Sequence, residues 1–341
     1  MMIATEIVLP QIGEPETLEV RRRELHAPRA GEALIRVEAT GVSFAEQSMR
    51  RGRYPGQPKF PFVPGYDLVG VVTAAGPSVA GVAVGQRVAA LTKTGGWADH
   101  VVLPAAALLP VRDGVDPAEV ETLVVNGLTA WQMLHRKAHT QAGQTILVHG
   151  ASGGVGTTLV QLARHAGIRV IGTASPRHHE ALRALGVEPL DYNDPDLIGS
   201  VRRLAPGGVD AAFDHLGLPS AARSFGLLAP GGTLVCYGTV TALREGTSIL
   251  GAFAALLSRI ARWNLLPNRR RATFYDLWGG HLVRRAAFYR RAQEDLAHVL
   301  DLLAIGILTP QIAARLPLVQ ASEALRLAES RTVFGKVVLI P

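Results

Sequence analysis

The sequence predicts an α/β fold: a doubly wound parallel sheet joined to a second, β-rich body. Three observations carry this. From Thr145 onward, short apolar runs alternate with helical patterns at the spacing of right-handed βαβ crossovers. A glycine-rich stretch separates the first of these runs from the first helical pattern. Before it, apolar and polar residues alternate over short spans broken by Gly and Pro.

In the first third, residues 33–39, 68–74 and 86–91 read as strands. Pro55, Pro58, Pro61 and Pro64 predict an extended, helix-free segment, because each proline disfavours helix in the residue before it. The alternating part predicts strands at 145–149, 169–173, 188–191, 209–214 and 233–237. Helices are predicted at 155–166, 177–185 (stopped by Gly186), 196–204 and 219–227. A sixth strand at 273–278 and a helix at 288–304 follow, and 308–341 returns to a β-like pattern. The expected domains are 1–125 with 307–341, and 126–306, with a basic amphipathic insert or lid at 244–271.

Composition narrows the class. The 341 residues are 48% hydrophobic and 6% aromatic, enough for two globular cores. Cys236 is the only cysteine, which excludes a disulfide framework and a cysteine-rich zinc site. No secretory signal pattern and no uncharged membrane-length apolar run is present, so a soluble, cytoplasmic protein is expected. The net charge of +7 is lopsided. Residues 244–291 hold ten arginines against Glu245 and Asp276, which leaves the rest of the chain nearly neutral. A single basic lobe does not predict a nucleic-acid partner; that expectation belongs to a chain basic throughout.

Gly150, Ala151, Ser152, Gly153, Gly154, Val155 and Gly156 stand between a predicted strand and a predicted helix, the context a dinucleotide site needs. Glycine lets backbone approach a pyrophosphate, and a helix N-terminus offers unpaired N–H groups and partial positive charge. Ala151 occupies the place of the usual first glycine. The next strand ends in Thr173, Ala174, Ser175, Pro176, Arg177, His178 and His179. An NAD site wants an acid there for the ribose hydroxyls. Hydroxyls and a cation suit a 2′-phosphate instead, so NADPH is the expected cofactor.

These residues resemble the zinc-free branch of the medium-chain dehydrogenase/reductase superfamily, the quinone oxidoreductases and VAT-1-like proteins. The likeness extends to Gly41, Val42, Ser43, Phe44, Ala45 and Glu46 with Arg50 to Tyr54; to Val63, Pro64, Gly65, Tyr66 and Asp67; to Asn126, Gly127, Leu128, Thr129, Ala130 and Trp131; and to Val333, Phe334, Gly335, Lys336, Val337 and Val338. It implies a GroES-like β-rich catalytic domain, a Rossmann domain and a cleft between them. It sets Asn126, Thr129, Ser152, Gly153, Gly154, Val155, Gly156, Thr173, Ser175, Arg177, His178, Tyr192, Gly217, Tyr237, Gly238, Phe334 and Lys336 near NADPH, with Lys336 as a candidate to neutralise phosphate. It also implies a homodimer.

Zinc-dependent relatives carry Cys at the position of Ser43 and His at that of Tyr66, so no metal is expected here. Many quinone reductases carry Asn at Ser43 and Tyr at Ser48, so this chain departs from that pattern too. Without a metal, hydride from the cofactor suits a quinone, an enone or an enoyl acceptor. Such acceptors need only modest hydrogen bonding to the oxygen that gains charge. Tyr54 and Ser43 are the candidate donors; Tyr54 also reads as a packed aromatic. In the basic segment, Ile249, Phe253, Leu256, Leu257, Ile260 and Trp263 recur at helical spacing beside Arg259 and Arg262. Three readings stay open: a lid over a phosphate-bearing thioester, an interfacial helix on anionic lipid, and a helix packed on the Rossmann domain or on a second subunit with a solvated arginine face. The interfacial reading belongs to an alternative function, a VAT-1-like nucleotide-binding peripheral membrane adaptor.

Overall fold

A computed structural model describes residues 2–245 and 248–341; positions 246 and 247 of the expected insert lie outside the described residues. The chain forms two compact units, Met1–Leu128 with Gly280–Pro341, and Thr129–Gly279. In chain order the strands are β1 (Met2–Val8), β2 (Glu19–Leu25), β3 (Glu32–Val42), β4 (Asp67–Ala75), β5 (Arg87–Leu91), β6 (His100–Pro104), β7 (Leu108–Pro110), β8 (Thr145–His149), β9 (Arg169–Ala174), β10 (Glu188–Asp191), β11 (Val209–Asp214), β12 (Leu228–Cys236), β13 (Arg271–Phe274), β14 (Ile312–Pro317) and β15 (Lys336–Ile340). The helices are α1 (Phe44–Met49), α2 (Pro117–Trp131), α3 (Gly154–His165), α4 (His179–Ala184), α5 (Leu197–Leu204), α6 (Leu218–Gly226), α7 (Val240–Glu245), α8 (Ile249–Asn264), α9 (Arg285–Ala304) and α10 (Ala321–Glu329).

The first unit is the β-rich body. Its main sheet runs β14-β15-β3-β4-β5-β7, with β6 also paired to β3. The β3–β6 and β3–β4 ladders are antiparallel, and alternation sends Ile35, Val37, Leu68, Val72, Val88 and Ala90 into one apolar cluster. Two helices depart from expectation. Residues 308–341 include α10, whose Ala321, Ala324 and Leu325 bury against Val337 and Leu339. The expected domain boundary near residue 306 also moves. Leu296, Val299 and Leu303 give α9 a buried stripe, and it packs on β7 within the first unit. Gly127 on α2 makes room for it; a Cβ there would lie 2.8 Å from Val299 Cγ1.

The second unit is a six-stranded parallel sheet in the order β10-β9-β8-β11-β12-β13. Numbered within the unit this is 3-2-1-4-5-6, the Rossmann order. The registers Ile146↔Val170 and Phe213↔Val235 bring the carboxyl ends of β8, β9, β11 and β12 to one edge. The last strand stops at Phe274, four residues short of expectation. Asp276 accepts the Trp278 amide at 3.0 Å and turns the chain away. The basic segment forms α8 as its spacing predicted. Leu256, Ile260 and Trp263 bury into the core shared with Leu234 and Ala272, and Trp263 stacks on Phe225 at 4.6 Å.

Candidate functional site

The nucleotide loop is built by close backbone approaches. Gly150 leaves β8 with φ +66°, a conformation that disfavours a side chain, and a Cβ there would lie 2.5 Å from His215 Cε1. The turn glycine therefore precedes the buried Ala151 by one residue. Ala151 N donates to Thr173 O at 3.0 Å, and Gly153 N to Gly150 O at 3.0 Å. A Cβ on Gly156 would run into the Gly150 carbonyl oxygen and lie 2.8 Å from Ala151 Cα, so only glycine lets α3 start this close to β8. By contrast a Cβ on Gly153, an exposed residue, would meet nothing nearer than 3.4 Å. The N-cap residue Gly153 has no side chain to cap the first turn of α3. Its early amides are thus available to an anion.

The other expected contacts gather along the same sheet edge, with exceptions. Ser175 and the exposed Arg177 follow β9 directly, and Arg177 Nε donates to Ser175 Oγ at 3.3 Å. Tyr192 is exposed past β10, and its amide donates to Ala174 O at 3.3 Å, beside the same strand end. Gly217 takes φ +123° before α6, and Gly238 follows β12. Tyr237 stacks near His215, 5.4 Å between ring centroids; burial, then Asp214, pushes its phenol above the ordinary range. His178 is buried rather than facing solvent, and burial together with the Arg177 charge pulls its pKa down. Thr173 does not reach outward. Its hydroxyl lies 3.1 Å from His149 Nδ1 and accepts the Gly150 amide at 3.4 Å, so it braces the loop. Asn126 and Thr129 are buried on α2, and Asn126 Nδ2 has no hydrogen-bond partner among the described residues.

A polar network beneath this edge was not anticipated. His149 Nε2 lies 2.9 Å from Ser224 Oγ, and Ser224 and Ser220 donate to Asp214 Oδ2 at 3.0 and 2.6 Å. Burial lowers the His149 pKa more than Asp214 raises it, so the ring is neutral at pH 7. The available signal was position: His149 and Asp214 close two neighbouring parallel strands.

The first unit holds a second polar site. Ser43 caps α1; its hydroxyl accepts the Ala45 amide at 3.1 Å and contacts Glu46 Oε2, which also accepts the Ser43 amide at 2.8 Å. Burial holds the Glu46 carboxyl above its ordinary pKa. The hydroxyls of Tyr54 and the buried Tyr66 lie 2.6 Å apart, with the rings edge-on at 5.9 Å. Lys93 Nζ is 5.8 Å from the Tyr54 ring. Lys336 corrects an expectation. Its ammonium is buried, 2.6 Å from Glu121 Oε1 and 3.0 Å from Asp67 Oδ2, so it is engaged by carboxylates of its own unit rather than held out for a phosphate. Burial pulls that ammonium down in pKa, and Asp67 and Glu121 together outweigh burial and raise it. Phe334 lies half-buried just before β15.

Comparison with known proteins agrees with this architecture. Models described as "Alcohol dehydrogenase GroES-like domain" and "Zinc-binding dehydrogenase" match residues 29–113 and 185–339. The chain is 33% identical over 321 residues to the "Synaptic vesicle membrane protein VAT-1 homolog" of Homo sapiens, covering 92% of this chain and 80% of that one. It is 29% identical over 348 residues to a 2-haloacrylate reductase of Burkholderia sp, with 98% of each covered. Two solved structures superpose over 99% of this chain and 100% of theirs at 29% identity. One is a quinone oxidoreductase of Pseudomonas syringae, with a TM-score of 0.85. The other is a mycobacterial protein complexed with NADPH, with a TM-score of 0.83.

The chain belongs to the medium-chain dehydrogenase/reductase superfamily, in its quinone oxidoreductase and VAT-1-like branch. It is thus an oxidoreductase by family, with a GroES-like domain and a Rossmann-type nucleotide domain. Although one matching model is named for zinc, the side chains of this medium-chain dehydrogenase/reductase do not fit that ion. At the ligand positions stand Ser43 and Tyr66, the one engaged by Glu46 and the other by Tyr54. Asp67 is paired with Lys336, and among the described residues no group of three His, Cys, Asp or Glu converges.

Proposed function

We propose that this chain transfers hydride from NADPH to a quinone or an α,β-unsaturated carbonyl acceptor, without zinc. One observation carries the reading. The Tyr66 position, where zinc relatives place a histidine ligand, is a phenol hydrogen-bonded to Tyr54 at 2.6 Å. A hydroxyl pair there offers a proton in place of a Lewis acid. The reductase names of the Burkholderia and Pseudomonas relatives, and the NADPH bound by the mycobacterial neighbour, support it.

NADPH supplies the hydride. Hydride adds to the conjugated carbon, the π electrons move to the oxygen, and one proton completes the two-electron reduction. The chain's own part is threefold. The early amides of α3 bind the pyrophosphate, and Arg177 with Ser175 binds the 2′-phosphate. Tyr54, with its hydroxyl oriented by Tyr66, hydrogen-bonds the oxygen as charge develops. An unactivated ketone needs stronger polarisation and is a poor acceptor in this scheme.

Loss of nicotinamide absorbance with a panel of quinones, enones, enoyl thioesters and simple ketones tests the reading. Turnover is expected with the conjugated acceptors, undiminished by a chelator. Tyr54→Phe and Tyr66→Phe should each lower kcat while leaving the KM for NADPH in place. Bound NADPH without oxidation by any acceptor would overturn it. That outcome would favour a second reading, a nucleotide-binding membrane adaptor with little turnover, which draws on the likeness to the human VAT-1 homologue.

A further inference from the structure

The first unit gathers cations beside the candidate proton donor. Lys93, half-buried, follows β5 in a turn with φ +63°, a left-handed conformation that a non-glycine residue seldom keeps without support. The support is Tyr66, whose carbonyl accepts the Thr92 amide at 2.9 Å and the Lys93 amide at 3.1 Å. The turn sets the Lys93 ammonium 5.8 Å from the ring of Tyr54, the phenol whose hydroxyl meets that of Tyr66. Arg285, exposed at the start of α9, lies 5.8 Å from the Tyr289 ring, and the Tyr289 hydroxyl is 3.2 Å from His281 Nε2. Burial, then the charges of Arg285 and Lys93, hold the His281 pKa below its ordinary value. Both cations therefore act on one ring, which is neutral at pH 7. Among the described residues neither Lys93 nor Arg285 forms an ion pair with a carboxylate, and the first turn of α9 contains no acid.

We propose that Lys93 and Arg285 form an oxyanion subsite, so that the acceptor is a conjugated carbonyl bearing a carboxylate or a similar oxyanion. The inference rests on the reductase reading above and narrows its substrate class. Two like charges beside one ring repel each other, and an oxyanion between them relieves that repulsion. The tyrosine rings do not replace it. At 5.8 Å each cation lies near the outer limit of ring attraction, about 6 Å, which leaves its N–H donors to a ligand. Lysine supplies a point charge, and arginine a planar fork that grips two oxygens. Tyr54, next to Lys93, meets the carbonyl oxygen while the oxyanion turns to the cations. A neutral quinone or a simple enone leaves both charges uncompensated.

NADPH oxidation with two matched pairs tests it: acetylacrylate against its methyl ester, and naphthoquinone with and without a sulfonate. Hydride and one proton convert acetylacrylate into levulinate. The acid should be preferred over the ester at least about tenfold in kcat/KM, the worth of one charge-assisted hydrogen bond. A preference confined to acetylacrylate assigns the subsite to carboxylates; one shared by the sulfonate makes it a general oxyanion site. Lys93→Met and Arg285→Met should each cut the preference about tenfold, chiefly through the KM of the acid, because the contact exists before hydride moves. Lys93→Arg should keep most of it. Acid and ester reduced equally well would overturn the inference and leave the reductase reading standing. If no acceptor is reduced, that reading fails and calorimetry with the NADPH-loaded protein decides the inference alone. Levulinate binding more tightly than its methyl ester, with the margin lost in the Lys93→Met, Arg285→Met double variant, supports the subsite; equal binding overturns it.

Discussion

Lys336→Met separates two roles for one lysine. As a phosphate ligand, Lys336 would affect NADPH affinity and leave stability nearly untouched. The structure gives it the opposite profile. Its side chain is 2% exposed, and Asp67 and Glu121, 3.0 and 2.6 Å away, are 0% exposed. Methionine fills much the same volume but removes the cation that pairs two buried carboxyls. Breaking a buried pair in this way costs roughly 3–5 kcal/mol, because the remaining charge keeps its desolvation penalty. That is a large share of the ~5–15 kcal/mol of a typical domain.

The pH dependence follows from the shifts. Lys336 is held above its ordinary pKa. Its contribution is therefore complete below the unfolded lysine value and disappears only as pH rises through the higher folded value. Burial, partly offset by Lys336, holds Glu121 well above the ordinary carboxyl range. A raised carboxyl contributes stability below its unfolded pKa and loses it as pH rises through the folded one. In Lys336→Met the Glu121 carboxyl loses the cation that lowers it, rises further and takes up a proton more readily. The deficit should therefore be largest near pH 8 and shrink toward pH 5. Urea unfolding at the two pH values, beside an NADPH titration, measures both quantities. A tenfold weaker NADPH affinity with an unchanged unfolding midpoint would refute the argument and restore the phosphate role.

The remaining predictions concern the nucleotide domain. Arg177→Ala should weaken NADPH by about 10- to 100-fold, the worth of one charge-assisted hydrogen bond, and leave NADH within about twofold. Fluorescence titration with both nucleotides checks this. Gly156→Ala should destabilise the domain and abolish nucleotide binding, because its methyl meets the Gly150 carbonyl and Ala151 Cα, which are backbone atoms. Gly153→Ala has free space, so its unfolding midpoint should hold while calorimetry shows weakened dinucleotide binding. Cys236 is buried, and burial then Asp214 push its thiol well above the ordinary range. Thiol reagents should leave the native protein unlabelled and react only in urea.

Much of this fold was legible because parallel strands and crossover helices carry strong local patterns. The strands at 145–149, 188–191 and 209–214 matched residue for residue. Strand β12 begins five residues early, at Leu228, in a Pro-Gly-Gly stretch that reads as a turn. Leu228 pairs with Val209 of β11, the ladder then resumes at Thr233 opposite Ala211, and Gly231 takes φ +90°, so the turn-like residues form an irregularity inside the strand. Helix α10 was missed because its nine residues are short and flanked by genuine strands. The π-type turn over Gln132–Ala138, closing on His139 in the left-handed region, has no sequence signature that separates it from an ordinary helix end.

The candidate site was legible unevenly, and burial is the reason. Glycine positions announce themselves, since a backbone that must approach closely admits no substitute; Gly150 and Gly156 needed no tertiary information. A charged side chain announces nothing about what it faces. Arg177 and Lys336 both looked like phosphate partners by position. The partners of Lys336 lie 215 and 269 residues away in sequence, on α2 and β4. Arg177 meets Ser175 two residues away and stays exposed. Local sequence places the second kind of contact and is silent on the first. The same logic covers Tyr66: its identity excluded a zinc ligand at once, but its hydroxyl partner Tyr54 sits across a proline-rich loop that no periodicity describes. A site assembled from strand ends is therefore predictable in its backbone. Its ionic partners emerge only when the sheet that buries them is known.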